Sequence, residues 1–218
     1  MFAATLAAAD PALAAGGPHV IDDSEVETPG DCHLETWAAH ASGDQWLGNI
    51  GAGCTPEALP MLEIGGMVTH ARAPGFDDTH VGIASKLTLR PADTGLGVAL
   101  AGSLGYGLDR SRLETASLIG AVTVPVSEAL RFNFNAGWIW TEAGRGSEAF
   151  GGAQAELSVG SGITLMAEGF ARDHGNAGGQ AGLRWTSPDG RVDLDLLAGL
   201  FGDGESPTSA ALGLTVRF

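Results

Sequence analysis

The stretch GLTVRF, residues 213–218, alternates between apolar and other side chains through Phe218. Successive side chains of an extended strand point to opposite faces. Leu214, Val216 and Phe218 therefore share one face, and Thr215 and Arg217 share the other. A strand that keeps this alternation up to an aromatic residue is typical of the strand that closes a barrel. We therefore expect residues 32–218 to form a barrel in an outer membrane.

The same alternation recurs through the rest of the chain. In residues 129–141 one face is apolar and carries Leu130, Phe132, Phe134, Ala136, Trp138 and Trp140. The predicted strands are 32–42, 45–54, 60–72, 79–91, 95–107, 113–126, 129–141, 148–159, 162–173, 178–187, 190–202 and 207–218, with turn signals between them. Twelve such segments of about ten residues predict an all-β fold, an antiparallel transmembrane β-barrel of about 12 strands.

The composition agrees with a barrel and excludes other classes. The chain has 34 glycines, 17% charged residues and a net charge of −15. This acidity excludes general binding to nucleic acid, which requires a basic surface. A soluble β-sandwich would also alternate, with its apolar face inside. Because small residues and glycines accompany the charges on the polar face, a confined interior fits better, and we favour the membrane barrel.

The residues before the first predicted strand divide into two segments. Residues 1–15 are small and apolar, and the sequence ALA at 12–14 resembles the end of a secretory signal, so we predict a signal-peptide remnant. It has no basic region, since Arg72 is the first Lys or Arg of the chain. Residues 16–31 are predicted to be an acidic periplasmic lead-in. The alternative is that residues 18–27, PHVIDDSEVE, fold into the lumen as a plug.

The two cysteines test the first predicted hairpin. If strands 32–42 and 45–54 pair across Gly43 and Asp44, Cys32 and Cys54 lie opposite each other to within one residue. Cysteines in an exported chain commonly form disulfides. We therefore predict a Cys32–Cys54 disulfide at the periplasmic end, with two free buried thiols as the alternative.

The polar faces of the predicted strands carry charges of both signs. The residues predicted to line the lumen are Glu35, Glu63, Lys86, Arg90, Arg131, Glu156, Glu168, Arg172, Arg184, Arg191, Asp193, Asp195 and Arg217. Burying an unpaired charge is costly, so a near balance is expected on structural grounds alone. The functional alternative is a polar path between opposed charges, as in a narrow channel.

Aromatic residues on the apolar faces are candidates for the girdles that mark membrane interfaces. They are Trp46, Tyr106, Trp138, Trp140 and Trp185. Trp37 is ambiguous, because it shares its face with His33 and Glu35.

The sequence contains no motif that predicts catalysis, a metal or a cofactor. It has no GxSxG, CxxC or HExxH pattern, and its histidines are scattered. A metal site at His19, Asp22 and Asp23 is a minor alternative. We predict no enzyme, no catalytic residues, no metal and no cofactor.

Several stretches resemble a known family. They are VIDDSEVETPGDCHLETW (20–37), PMLEIGGMV (60–68), LETASLIGAVTVPVSEALRFNFNAGW (113–138), GLRW (182–185) and GLTVRF (213–218). They are similar to small Gram-negative outer-membrane proteins labelled putative transporters or associated by name with the meta-pathway of phenol degradation. The resemblance implies a 12-stranded barrel and a transport role, and it implies no catalytic or ligand residues.

We predict an outer-membrane channel of a Gram-negative bacterium that passes small solutes, aromatic or hydrophobic compounds among them. One alternative is a closed structural or interaction barrel with acidic loops, and another is an outer-membrane enzyme. The expected partners are outer-membrane lipids and lipopolysaccharide. The sequence specifies neither the solute nor an oligomeric state.

Overall fold

A computed structural model describes residues 17–142, 146–173, 177–202 and 208–218, apart from the side chains of residues 201 and 202. The predicted signal-peptide remnant, residues 1–15, and parts of three predicted loops lie outside these residues. No helix in the described ranges is long and apolar enough to span a membrane.

The described residues form twelve antiparallel strands that close into a barrel. The strands are β1 (Cys32–Ala41), β2 (Gln45–Cys54), β3 (Leu62–Ala73), β4 (Phe76–Arg90), β5 (Gly97–Gly107), β6 (Arg112–Pro125), β7 (Leu130–Thr141), β8 (Gly146–Gly160), β9 (Ile163–Arg172), β10 (Ala177–Thr186), β11 (Val192–Gly202) and β12 (Thr208–Arg217). A single 3₁₀ turn, Ala92–Thr94, precedes β5. The predicted fold class and strand number are confirmed.

The barrel closes where the sequence predicts, between β1 and β12. Their register runs from His33 opposite Arg217 to Ala41 opposite Ser209. Beyond it, the Cys32 amide donates to the Phe218 carbonyl and the Phe218 amide donates to the Cys32 carbonyl, both at 2.9 Å. The last strand is therefore paired through its terminal aromatic residue.

The first hairpin turns at the predicted place, and its register differs by one residue from the register of a two-residue turn at Gly43 and Asp44. Ala41 lies opposite Gln45, so residues 42–44 form a three-residue connection, in which Gly43 and Asp44 adopt positive φ, 83° and 58°. Cys32 lies opposite Cys54, and the two form a disulfide with their Cα atoms 4.1 Å apart. The disulfide prediction is confirmed.

The connections between strands lie at two opposite ends of the barrel. We call the end that holds Asp31, the β2–β3 connection and Phe218 the turn end. The opposite end, which holds residues 42–44, 74–75 and 108–111, is the loop end.

The outer face of the barrel is apolar and the inner face is polar. Large apolar side chains point outward and are exposed, among them Ile50, Ile83, Leu196 and Leu212, and the predicted girdle residues Trp46, Tyr106, Trp138 and Trp185 lie on the same face. Buried positions carry Asn, Gln, Asp and Glu. This distribution is the reverse of a water-soluble domain, and it suits a barrel surrounded by hydrocarbon. The interfacial role of the aromatic residues stays a prediction.

Candidate functional site

The N-terminal segment, residues 17–27, lies inside the barrel rather than outside it. It enters from the turn end, where Gly30 N donates to the Thr55 carbonyl at 2.7 Å. It then follows the inner wall until Gly17 N donates to Glu35 Oε2 at 3.1 Å. The sequence predicts a periplasmic lead-in for residues 16–31, but residues 17–27 lie inside the barrel. Their position is the one that the plug alternative describes. The physical reason is that the acidic residues of the segment find basic partners on the inner wall.

Lys86 and Arg131 hold the acidic part of the N-terminal segment. Lys86 Nζ lies 2.8 Å from Asp22 Oδ1 and 3.4 Å from Asp23 Oδ1. Arg131 contacts Asp23 at 3.3 Å and Glu25 at 3.0 Å. These two bases stand on β4 and β7, so the segment joins distant strands across the lumen.

Further along, His19 lies among acids of two strands. Its Nε2 is 3.3 Å from Asp195 Oδ1 on β11, and its Nδ1 is 3.8 Å from Glu168 Oε2 on β9. The next amide, Val20 N, donates to Glu168 Oε1 at 2.8 Å. Asp195 is itself held by Arg184 Nε of β10 at 2.8 Å. The imidazole thus lies between two carboxylates, those of Glu168 and Asp195.

One apolar anchor accompanies these ionic contacts. Ile21 is 1% exposed and packs with Ile119, Ile139 and Phe150. Val20 and Phe170 flank this cluster. The segment is therefore fixed at its centre by the burial of one aliphatic side chain.

Glycines of the inner wall leave room for the N-terminal segment. A side chain at Gly152 would collide with Ile21 Cδ1, and one at Gly97 would collide with Ser24 Oγ. A Cβ at Gly213 would lie 2.7 Å from Pro18 Cδ. The inner surface is thus shaped to accept the segment along much of its length.

Burial and charge shift the ionisation of the segment in different directions. Burial raises the pKa of Asp22 to about 8, against the opposing charge of Lys86. Burial also opposes ionisation of Asp23, but the charges of Lys86 and Arg131 outweigh it and lower the pKa. For His19, burial disfavours the imidazolium, but hydrogen bonds to Asp195 and Glu168 outweigh it and raise the pKa.

Most residues predicted to line the lumen do face inward. The ion pairs among them are Arg131 with Glu156 at 3.0 Å, Arg184 with Asp195 at 2.8 Å, and Arg217 with Asp193 at 2.8 Å. Glu35 accepts a hydrogen bond from Asn49, Glu63 accepts one from Glu27 N, and Arg172 pairs with Glu148. Their pairing agrees with the structural interpretation of balanced charge, and a role in conduction stays a prediction.

Arg90 and Arg191 do not line the lumen. Arg90 is exposed, and its Nη2 donates to the Thr94 carbonyl at 3.1 Å, in the turn before β5. The register of β4 against β5 shifts between Thr88 and Arg90, so the alternation that places Lys86 and Thr88 inside does not extend to Arg90. Arg191 is exposed in the connection before β11.

Within the described residues, the interior carries more acids than bases. The acids are Asp22, Asp23, Glu27, Glu35, Glu63, Asp78, Glu114, Glu148, Glu156, Glu168, Asp193 and Asp195, and the bases are Lys86, Arg131, Arg172, Arg184 and Arg217. The balance predicted from the strands alone does not hold once the N-terminal segment and the loop-end acids are included. The interior therefore has an excess of negative charge.

A small cavity remains beside the N-terminal segment. It has a volume of about 30 Å³ and is lined by Glu35, Glu63, Lys86, Ser103 and Ser117, with several glycines. Such a volume accommodates water rather than an organic solute. Two of its lining residues, Glu35 and Lys86, also contact the N-terminal segment.

Sequence reasoning missed a second group of titratable residues, at the loop end. Asp78, His80 and Glu114 bring their ligand atoms within 4.8 Å of one another. Asp78 was expected in a loop, but β4 begins at Phe76 and carries it inside. Strict alternation in β6 would point Glu114 outward. A carboxylate at a position expected to face lipid is the signal in the sequence that could have identified this group.

Solved structures with the same fold are outer-membrane porins and channels. The chain matches the KdgM porin with a TM-score of 0.67 and 10% identity, over 85% of this chain and 99% of that one. It matches the NanC porin with a TM-score of 0.65 and 8% identity, over 84% and 98%. The COG4313 outer membrane channel from Pseudomonas putida F1 gives a TM-score of 0.62 and 11% identity, over 89% and 97%. At these identities the likeness establishes the fold.

No curated protein sequence matches the chain. One family model does match, over residues 3–218, and its description is Uncharacterised conserved protein UCP029691. Since this match spans nearly the whole chain, the protein belongs to the family Uncharacterised conserved protein UCP029691.

Proposed function

We propose that this protein is an outer-membrane channel for the passive movement of small polar solutes, and that the N-terminal segment closes its lumen. The observation that carries the proposal is the position of residues 17–27, inside a closed barrel with an apolar exterior. The proposed partners of that exterior are outer-membrane lipids and lipopolysaccharide, with the turn end in the periplasm.

The way the segment is attached supports a closing role. It makes no strand ladder with the wall, since its contacts are ion pairs, side-chain hydrogen bonds and the burial of Ile21. It is joined to β1 at one end only, through residues 28–31. The segment can therefore leave the lumen without breaking a hydrogen bond between neighbouring strands, and a charged, water-accessible path would remain.

The charge of the interior indicates which solutes would pass. One structure with the same fold is the KdgM porin in complex with disordered oligogalacturonate, an acidic ligand of that protein. The interior here has an excess of acids, so it would repel polyanions and favour neutral or cationic solutes. The same charges disfavour the aromatic or hydrophobic solutes that the sequence suggested, and the phenol-degradation label stays a prediction.

A closed structural barrel is the second candidate. The small size of the cavity beside the segment, about 30 Å³, favours it, as does the dense ion pairing on the inner wall. In that case residues 17–27 would be a permanent part of the core.

Solute flux into liposomes tests the proposal. The folded full chain and a variant lacking residues 17–27 are compared for uptake of a neutral, a cationic and an anionic solute of similar size. We expect the deletion to increase uptake in the order cationic, neutral, anionic. Equal, background uptake by both folded proteins would contradict a channel and support the structural barrel.

A further inference from the structure

Three potential ligands converge at the loop end of the lumen. His80 Nε2 lies 3.4 Å from Asp78 Oδ2 and 3.2 Å from Glu114 Oε2. Asp78 and His80 stand on β4, and Glu114 stands on β6, so the group bridges two strands across the intervening β5. We call these three residues the loop-end cluster.

Four buried polar atoms of this cluster lack hydrogen-bond partners among the described residues. Asp78 is 2% exposed, and neither of its carboxylate oxygens has a hydrogen-bond partner among the described residues. The same holds for His80 Nε2 and Glu114 Oε1. A buried carboxylate without hydrogen bonds is costly, so these atoms favour an additional cation at good bonding distance.

The backbone aims Glu114 into the cluster. The register of β5 against β6 shifts between Gly105 and Tyr106, which leaves Glu114 as the additional residue on β6. A bulge of this kind redirects a side chain, and Glu114 and Thr115 are both buried. Opposite, a Cβ at Gly107 would lie 2.5 Å from Glu114 Cδ. The glycine therefore gives the carboxylate the space to lie against His80.

Two arginines approach the cluster but do not complete it. Arg110 lies 3.5 Å from both Asp78 and Glu114, and Arg112 Nε lies 3.6 Å from Glu114. None of these contacts has hydrogen-bond geometry at the unpartnered atoms. Both arginine side chains are partly exposed, at 37% and 46%, so they can move aside. They neutralise part of the charge and compete with any bound cation.

We propose that Asp78, His80 and Glu114 bind a divalent transition metal ion of the Zn²⁺ type. Zn²⁺ is bound by imidazole nitrogen and carboxylate oxygen, and three protein ligands leave a fourth position for water or solute. Ca²⁺ and Mg²⁺ prefer oxygen ligands alone, so the histidine selects against them. The bound ion joins β4 to β6 at the mouth of the lumen. This site does not depend on the channel function, because metal binding is measured without any solute flux.

Titration calorimetry with ZnCl₂ on the chelator-treated, folded full chain tests the site. We expect one high-affinity Zn²⁺ per chain and no competition from Ca²⁺. Asp78→Asn should weaken binding at least about tenfold, on the scale known for the loss of metal-site groups. The matched control is Asp77→Asn, because Asp77 is the neighbouring acid and its side chain is 66% exposed. That control should bind as the unmodified chain does.

Two further variants keep the test decisive if Asp78→Asn does not fold. His80→Gln should lose Zn²⁺ binding while retaining heat-modifiable migration of the folded barrel. Arg110→Met should tighten binding, because it removes a competing cation from between Asp78 and Glu114. The proposal is overturned if the unmodified chain takes up no Zn²⁺, or if His80→Gln binds it as well as the unmodified chain.

Discussion

The two ends of the lumen hold buried charge in different ways. Towards the turn end, the acids of the N-terminal segment accept hydrogen bonds from bases of the wall, as Asp22 does from Lys86 Nζ at 2.8 Å. At the loop end, Asp78 is equally buried but accepts no hydrogen bond from a described residue. Both regions lie on the inner faces of overlapping strands, since β4 supplies Lys86 to one and Asp78 to the other.

The two regions differ in where the cation that balances their buried acids comes from. The N-terminal segment brings acids to bases of the same chain, so the two sets neutralise each other when the segment is docked. The loop-end cluster has arginines that are offset and partly exposed. The cluster is therefore open to a cation from outside. The acids of the N-terminal segment are already paired with bases of the wall, and they lose these partners only when the segment leaves the lumen.

Removing Lys86 should have the largest effect on docking of the N-terminal segment. Lys86→Met removes the ion-pair partner of Asp23 and the hydrogen-bond donor to Asp22, and breaking a buried ion pair costs about 3–5 kcal/mol. We expect the segment to leave the lumen, and hydrogen exchange of residues 17–27 to lose its protection. Arg191→Gln is the control, because Arg191 is exposed. Full protection in Lys86→Met would show that the ion pairs do not hold the segment.

Truncating the apolar anchor should have a comparable or smaller effect. Ile21→Ala removes a side chain that is 1% exposed, and such truncations cost about 2–5 kcal/mol. We expect partial loss of exchange protection in residues 17–27, with thermal unfolding of the barrel little changed. Val26→Ala, at a half-buried position of the same segment, should change protection much less. An equal effect of both variants would contradict the anchoring role.

Raising the pH should weaken docking of the N-terminal segment. His19 is packed by Glu168 of β9, Arg184 of β10 and Asp195 of β11. Its pKa is raised, so its contribution is complete below the ordinary value of 6.5 and is lost as the pH rises through the docked value. Exchange protection of residues 17–27 should fall as the pH is raised from about 5 to about 8, and His19→Gln should flatten that slope.

Titration of Asp22 should also weaken docking of the N-terminal segment as the pH rises. It faces Lys86 of β4 and Glu63 of β3, with Asp23 beside it, and burial raises its pKa to about 8. The docked carboxyl thus holds its proton more tightly than the released one, and docking weakens as the pH rises from about 4 to about 8. Asp22→Asn should reduce the remaining slope. Protection that rises with pH in the unmodified chain would contradict both assignments.

The smallest effect is expected at Arg90. Arg90 is exposed, and its side-chain hydrogen bonds to described residues go to Thr94 in the adjoining turn. Arg90→Gln should therefore change the stability of the barrel by no more than about 0.5 kcal/mol. Arg131→Gln, at a predicted lumen position that does face inward, should release the segment. Thermal unfolding and hydrogen exchange of residues 17–27 in the two variants test whether Arg131 lines the lumen and Arg90 does not. Equal effects of the two substitutions would contradict this assignment.

The sequence predicts the barrel well because alternation is a local property. The twelve strands, the closing strand and, to within one residue, the pairing of Cys32 with Cys54 all follow from period-two patterns and turn signals. The errors come from features that alternation does not encode. Register shifts removed Arg90 from the lumen and turned Glu114 into it.

The candidate site was less predictable than the fold. The position of residues 17–27 depends on partners scattered over the chain, from Lys86 to Asp195. No short stretch contains that information, and an acidic, non-periodic segment fits a free linker equally well. The glycines at 97, 152 and 213 become informative only when the segment is known to lie against them.

Single-channel conductance in a planar bilayer tests the central claim most directly. The folded full chain is compared with the variant lacking residues 17–27, and heat-modifiable migration verifies folding of both. We predict a low conductance for the full chain and a steady, several-fold larger, cation-selective conductance for the deletion variant. Equal conductance, or silence of both folded proteins, would contradict a channel closed by its N-terminal segment.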